Sequence, residues 1–187
     1  MDSSKSTGGW TEFVYNPSGR ALAPEPASVS GGTASFNFAS GVFTALLTTK
    51  DKALTGDLSG HTLSDTISVS GVSAGATFVT QNGGGCGNPP AVRFFFTTPG
   101  FEFVNFWWSN PISYTLANGS ATITASLGDP SQWSDFNGQS GTTAPADFAQ
   151  AVAKVNAVGL SFGGDCFFEN GATTSDGSGT LSSTFAE

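Results

Sequence analysis

The chain has 187 residues, with 14 acidic and six basic side chains and one histidine, for a formal net charge of −8. Six cations cannot build the basic stripe that a phosphate backbone demands, which argues against nucleic acid as a partner. No stretch nears the ~18 consecutive apolar residues of a membrane span. Charged residues make up 11% of the chain, where ordinary soluble proteins carry roughly 25%. Glycine, serine and threonine fill the gap, and 17 phenylalanines supply most of the apolar bulk. This is an all-β, extracellular type of composition, long enough for one domain with a sizeable core.

Residues 1–9 read as a flexible polar leader without an apolar signal core, so an exported protein would have had its signal removed and Met1 added. Residues 10–187 read as a single domain. A first strand spans Trp10 to Tyr15 and stops at Asn16-Pro-Ser-Gly19. The Pro-bearing segment Ala21 to Gly32 reads as loop. Thr33 to Phe38 alternates cleanly, and Gly41 marks a bend before Val42 to Thr49. After a polar loop, Thr62 to Val69 places Leu63, Ile67 and Val69 on one face, with Asp65 as its odd member. Short strands are expected at Thr77–Thr80 and Ala91–Thr97, and another over Phe101–Trp108.

Past Asn110-Pro111 the pattern resumes over Ile112–Leu116. Asn118-Gly119 then reads as a hairpin turn into Ala121–Leu127; with Ser120 it also matches a glycosylation acceptor, which the turn makes unnecessary. Asp129 to Gly141 reads as a polar loop bearing Trp133. One amphipathic helix is expected over 145–155: Phe148, Ala151, Val152 and Val155 share a stripe, Thr143 can cap it and Pro145 suits its first turn. Strands at Ala157–Phe162 and Gly179–Phe185 close a set of eight to ten. The expected fold is an all-β, antiparallel two-sheet jelly-roll-like sandwich with one short helix near residues 145–155.

Cys86 and Cys166 both sit in glycine-rich segments, 80 positions apart. An even count in a secreted type of composition favours one disulfide, worth ~4 kcal/mol in the chain-entropy account. Metal-ligand histidine motifs are impossible with His61 alone, and no nucleophile elbow surrounds it. Gly83-Gly84-Gly85 precedes a strand, not a helix, so it is no phosphate loop. Glu102, Asp135, Asp165 and Glu169 could pair in space as glycosidase carboxylates, although their spacing does not favour it. No catalytic residue is assigned and no cofactor is required. Oxygen-rich turns at Asp176-Gly-Ser-Gly179 and Asp165 with Glu169-Asn170, and Glu12 near the first strand, are candidate ligands of a structural calcium, with ordinary Asx turns as the simpler account.

The aromatic residues are more informative. Trp107 and Trp108 are adjacent in a strand, so they face opposite ways, one into the core and one onto the outer surface or a groove. Trp133 lies among polar side chains. Sugar C–H faces stack on indole rings while hydroxyls bond amides, acids and arginine. Arg93, mid-strand among Val92, Phe94, Phe95 and Phe96, either pairs with a buried acid or reaches a ligand.

Phe106-Trp-Trp-Ser-Asn-Pro111, Gln132-Trp-Ser-Asp-Phe-Asn-Gly138 and the segment from Val158 to Gly171 resemble motifs of bacterial secreted proteins, themselves similar to carbohydrate-binding modules of the jelly-roll type. The similarity covers about residues 40–187. It implies a two-sheet sandwich, export from the cell and often a structural calcium, but no ligand. The expected function is an extracellular, non-catalytic glycan-binding module. Its ligand would be contacted by Arg93, Trp133, one of Trp107 and Trp108, and the amides of Asn105, Gln132 and Asn137. One alternative is a structural protein of an extracellular surface, fibre or shell. The other is a jelly-roll polysaccharide-degrading enzyme, which requires a cleft where Arg93, Tyr114 or two acids converge. The oligomeric state stays open.

Overall fold

The computed structural model describes residues 9–81, 88–100, 102–110, 112–164 and 168–186. Cys86 and Cys166 lie outside the described residues, and so do Gly83–Gly85, Asp165 and nearly all of the leader. In chain order the strands begin with β1 (Trp10–Tyr15), β2 (Glu25–Pro26), β3 (Ser28–Ser30), β4 (Thr33–Asn37) and β5 (Phe43–Thr49). The middle of the chain supplies β6 (Thr62–Ser70), β7 (Phe78–Thr80), β8 (Ala91–Thr97), β9 (Phe106–Ser109) and β10 (Tyr114–Thr115). Next come β11 (Gly119–Ser126), β12 (Trp133–Asp135), the helix α1 (Pro145–Val152), β13 (Ala157–Gly163), β14 (Ala172–Thr174) and β15 (Thr180–Ala186).

These strands form two antiparallel sheets, an all-β sandwich. The larger runs β12-β9-β8-β13-β5-β1-β2, with β10 beside β8, and β14 joining β5 to β7; the smaller runs β11-β6-β15-β4-β3. Alternation explains the packing between them. Leu63, Ile67 and Val69 of β6, with Leu181 and Phe185 of β15, meet Leu47, Phe94, Phe96, Leu160 and Phe162 of the larger sheet in one core. Edge-to-face rings join the layers, Phe36 on Phe162 at 5.5 Å and Phe94 on Phe185 at 5.5 Å, a geometry that matches the positive ring edge to the negative ring face.

Several expectations need correction. The segment 21–32 contains β2 and β3, because its backbone pairs with β1 and β4 despite the prolines. Between Phe101 and Trp108 the chain first makes a 3-10 turn at Phe103–Asn105, and only Phe106 onward is strand. Asn118-Gly119 is not a hairpin turn: β10 pairs with β8 in the larger sheet and β11 with β6 in the smaller, so these residues carry the chain between layers. The helix ends at Val152, three residues early, because Gly56 and Val155 exchange backbone hydrogen bonds at 2.8 Å. Ala144, not Thr143, occupies the cap position and makes no side-chain bond there; Pro145 does take the first turn.

Trp133 was expected among polar loop residues. It opens β12, pairs with Ser109 across to β9, and is fully buried. Its indole N–H donates to the Ser126 carbonyl at 2.9 Å and its ring stands edge-on to Phe96 at 5.1 Å. Removing such a side chain loses transfer energy, leaves a cavity and orphans an acceptor. We expect Trp133→Ala to cost about 3–5 kcal/mol in denaturant unfolding.

Among the described residues Asp65 is the one acid inside the core. It is fully buried, its Oδ2 accepts from the Ser183 hydroxyl at 2.6 Å, and its Oδ1 has no partner. Burial pushes its pKa up to about 7 against the Ser183 and Thr184 hydrogen bonds. The native state therefore holds a proton that the unfolded chain releases near pH 4. That contribution is complete below about pH 4 and is lost as pH rises through about 7. Asp65→Asn should flatten this pH dependence and raise stability at pH 8 by about 2–4 kcal/mol, read from melting curves at pH 5 and pH 8.

Candidate functional site

The larger sheet buries aromatic side chains on both faces. Val92, Phe94 and Phe96 of β8 point into the main core, while Phe95 points away from it. On that outer face Phe95, Phe106, Trp108, Ala45 and Leu46 form a second apolar cluster, flanked by Phe13, Tyr15 and Phe168. Rings stack in sequence across it: Phe95 on Phe106 at 5.2 Å, Phe106 on Trp108 at 5.4 Å, and Trp108 edge-on to Phe168 at 5.7 Å. The series ends at Arg93, whose guanidinium carbon lies 4.0 Å from the centre of the Phe168 ring. This is a cation–π contact.

Trp107 and Trp108 do face opposite ways, into the main core and the outer cluster respectively. Neither is an exposed platform, since they retain only 6% and 2% of their surface. Trp107 packs under Phe148 of α1 at 5.3 Å, and the buried Trp133 offers no ring to a ligand either. Arg93 is largely buried; desolvation pulls its pKa down to about 10, opposed by the nearby Glu169 carboxylate. Its Nε has no hydrogen-bond partner. Arg93 thus sits against the Phe168 ring and near the Glu169 carboxylate.

The expected amides are engaged in holding loops. Asn105 donates to the Gly100 carbonyl at 2.9 Å, and Gln132 accepts the Ser126 N–H at 2.6 Å. Asn137 is exposed, and its backbone N–H donates to Asp135 Oδ1 at 2.9 Å. Of the candidate calcium ligands, exposed Asp176 accepts from the Ser178 N–H and hydroxyl at 3.0 and 2.6 Å, an Asx turn that lowers its pKa to about 2. Glu12 is half-buried and accepts from the Thr44 hydroxyl at 2.6 Å; burial raises its pKa. Among the described residues no three His, Cys, Asp or Glu side chains converge as a metal site would require.

Among the described residues, cavities open along the larger sheet and beside the helix. The one at the rim of the ring series, ≈ 280 Å³, is lined by Trp108, Asp135, Phe136, Asn137, Phe168 and Glu169. A second, ≈ 520 Å³, lies between α1 and the β9 edge, with Asn105, Trp107, Asp135, Asp147, Gln150 and Lys154 in its wall. A third, ≈ 310 Å³, is enclosed by Phe13, Tyr15, Leu22, Leu46, Glu102 and Phe106.

The first cavity combines the chemistry of a binding site. Phe136 is 46% exposed and supplies an open ring. Glu169 is raised in pKa chiefly by burial, with Arg93 opposing. Asp135 is fixed by the turn it organises, accepting the N–H groups of Asn137 and Gln139 at 2.9 and 2.8 Å. Two of the four carboxylates considered as a pair therefore do meet at one cavity. Phe136 and Phe168 escape a sequence reading because each sits in a polar or glycine-rich turn with no periodicity to expose its role. Comparison with family models, with curated proteins and with solved structures returns no match.

Proposed function

We propose that this protein is an extracellular, non-catalytic glycan-binding module whose ligand docks in the cavity formed by Trp108, Phe136 and Phe168. The observation that supports it is the pairing of an exposed aromatic ring with fixed polar groups in one recess: Phe136 beside Asp135, Asn137 and Glu169. Sugars need that combination, an apolar surface for C–H faces and a few oriented partners for hydroxyls. This site lies next to the expected one but exchanges buried Trp133 for Phe136 and Phe168.

Retention of the protein on insoluble cellulose, chitin, chitosan or xylan tests the proposal, and release from all four overturns it. Because Phe136 is so exposed, Phe136→Ala should leave the melting temperature within about 2 °C while weakening retention at least about tenfold.

One observation favours a second reading. Asp135 and Glu169 line the same cavity and Glu169 is shifted toward its protonated form, a division of roles that glycoside hydrolysis uses. Binding ranks first because Asp135 spends an oxygen on two backbone N–H groups. Release of reducing ends from a retained polysaccharide, abolished by Glu169→Gln, would reverse that ranking.

A disulfide belongs to the same extracellular reading. The register of β8 with β13 ends at Ala91 opposite Gly163, and the Pro89 carbonyl backs onto Gly164. The chain thus enters both cysteine-bearing segments from neighbouring points. Mass spectrometry of the unreduced protein should show two hydrogens fewer than the reduced chain, and alkylation of both thiols without reductant would refute the bond. Reduction should cost about 2–5 kcal/mol and leave the fold intact, since the core is large.

A further inference from the structure

We infer that the Trp108–Phe136–Phe168 cavity selects saccharides bearing a free amino group, and rejects uronates and sulfated sugars; this rests on the glycan reading above. Among the described residues, the side chains in its wall are three aromatic rings, two carboxylates and an amide, with no lysine or arginine. Arg93 faces the ring of Phe168 and does not line the recess. An anionic ligand would therefore meet Asp135 and Glu169 in the wall, with Arg93 offsetting only Glu169 from behind, in a chain already carrying −8.

An ammonium fits every feature of this wall. Aromatic faces attract cations electrostatically, most strongly in desolvated sites. Half-buried Glu169 and turn-fixed Asp135 supply the acceptors. Independent of the acids, Trp108 is 2% exposed and its indole N–H finds no acceptor. Ser134, directly across the β12–β9 ladder from Trp108, has an equally unpartnered hydroxyl. Both polar atoms are themselves buried, so what a ligand meets in the wall is the rings and the carboxylates. A hexosamine offers C–H faces to the first and an ammonium to the second.

Calorimetric titration of the intact protein with four trisaccharides tests this: glucosamine, N-acetylglucosamine, cellotriose and trigalacturonate. The glucosamine trimer should bind at least about tenfold tighter than the N-acetylated and neutral ones, with trigalacturonate undetectable. Its affinity should fall as salt rises from about 20 to 300 mM, while that of cellotriose stays flat. Asp135→Asn and Glu169→Gln should each erase most of the preference for the amine without weakening cellotriose more than about threefold. Equal affinity for the amine and neutral trimers, or tighter binding of trigalacturonate, overturns the inference and leaves the glycan reading standing. If no trisaccharide binds, both fall. The salt series on the unaltered protein decides the matter even if a variant fails to fold.

Discussion

The architecture depends on one constraint: the larger sheet must bury apolar side chains on both faces. An antiparallel sheet in a sandwich ordinarily keeps one face for water, so its strands alternate. Here β8 reads Val-Arg-Phe-Phe-Phe, and Phe94, Phe95 and Phe96 are all fully buried. Phe185 of the smaller sheet packs on Phe94, and Phe148 of the helix packs on Phe96. Phe95 instead shares the outer face with Phe106 and Trp108 of the neighbouring strand, and Phe13, Tyr15 and Phe168 pack against them.

That cover is incomplete by geometry, and the gaps carry the chemistry. Short turns can roof the middle of a sheet face but not its edges, so recesses open where the rings run out, beside Phe136 and beside Leu22. Close backbone packing below keeps the floor rigid. At Gly159, opposite Phe95, an added Cβ would collide with the Leu47 carbonyl oxygen and press on the Thr48 backbone. Only glycine permits β5 and β13 to approach this closely under the outer cluster, which ties a backbone feature of a central strand to the shape of the face above it.

Charge follows the same division. Asp65 lies in the main core as a carboxyl group that burial keeps proton-bearing to about neutral pH. Arg93 and Glu169 share the outer face, where their mutual attraction offsets part of the desolvation of each. Both arrangements hold few charges, consistent with a chain in which charged residues are scarce. At the Phe136 recess two carboxylates remain without a lining cation, which gives that recess an electrostatic sign.

Period-two alternation along β4, β6 and β15 made the sandwich legible from the residues alone, because a strand with one wet face must alternate. The same local logic identified the helix near Pro145 and the opposed directions of Trp107 and Trp108. It failed where long-range pairing decided the outcome. Trp133 is buried because three residues of a polar loop add a strand to β9, and nothing within that loop specifies the partner. Val155 left the helix for a bridge with Gly56, about a hundred positions earlier. Phe168 packs on the outer cluster where Arg93, distant in sequence, lies against its ring and the Ser161 hydroxyl donates to its carbonyl at 2.7 Å. Sequence determines the face to which a side chain points, since that follows from the local backbone repeat. Whether that face meets water, a second sheet or a covering turn is settled by contacts between distant segments, so only the tertiary structure decided which aromatic rings remained open to a ligand.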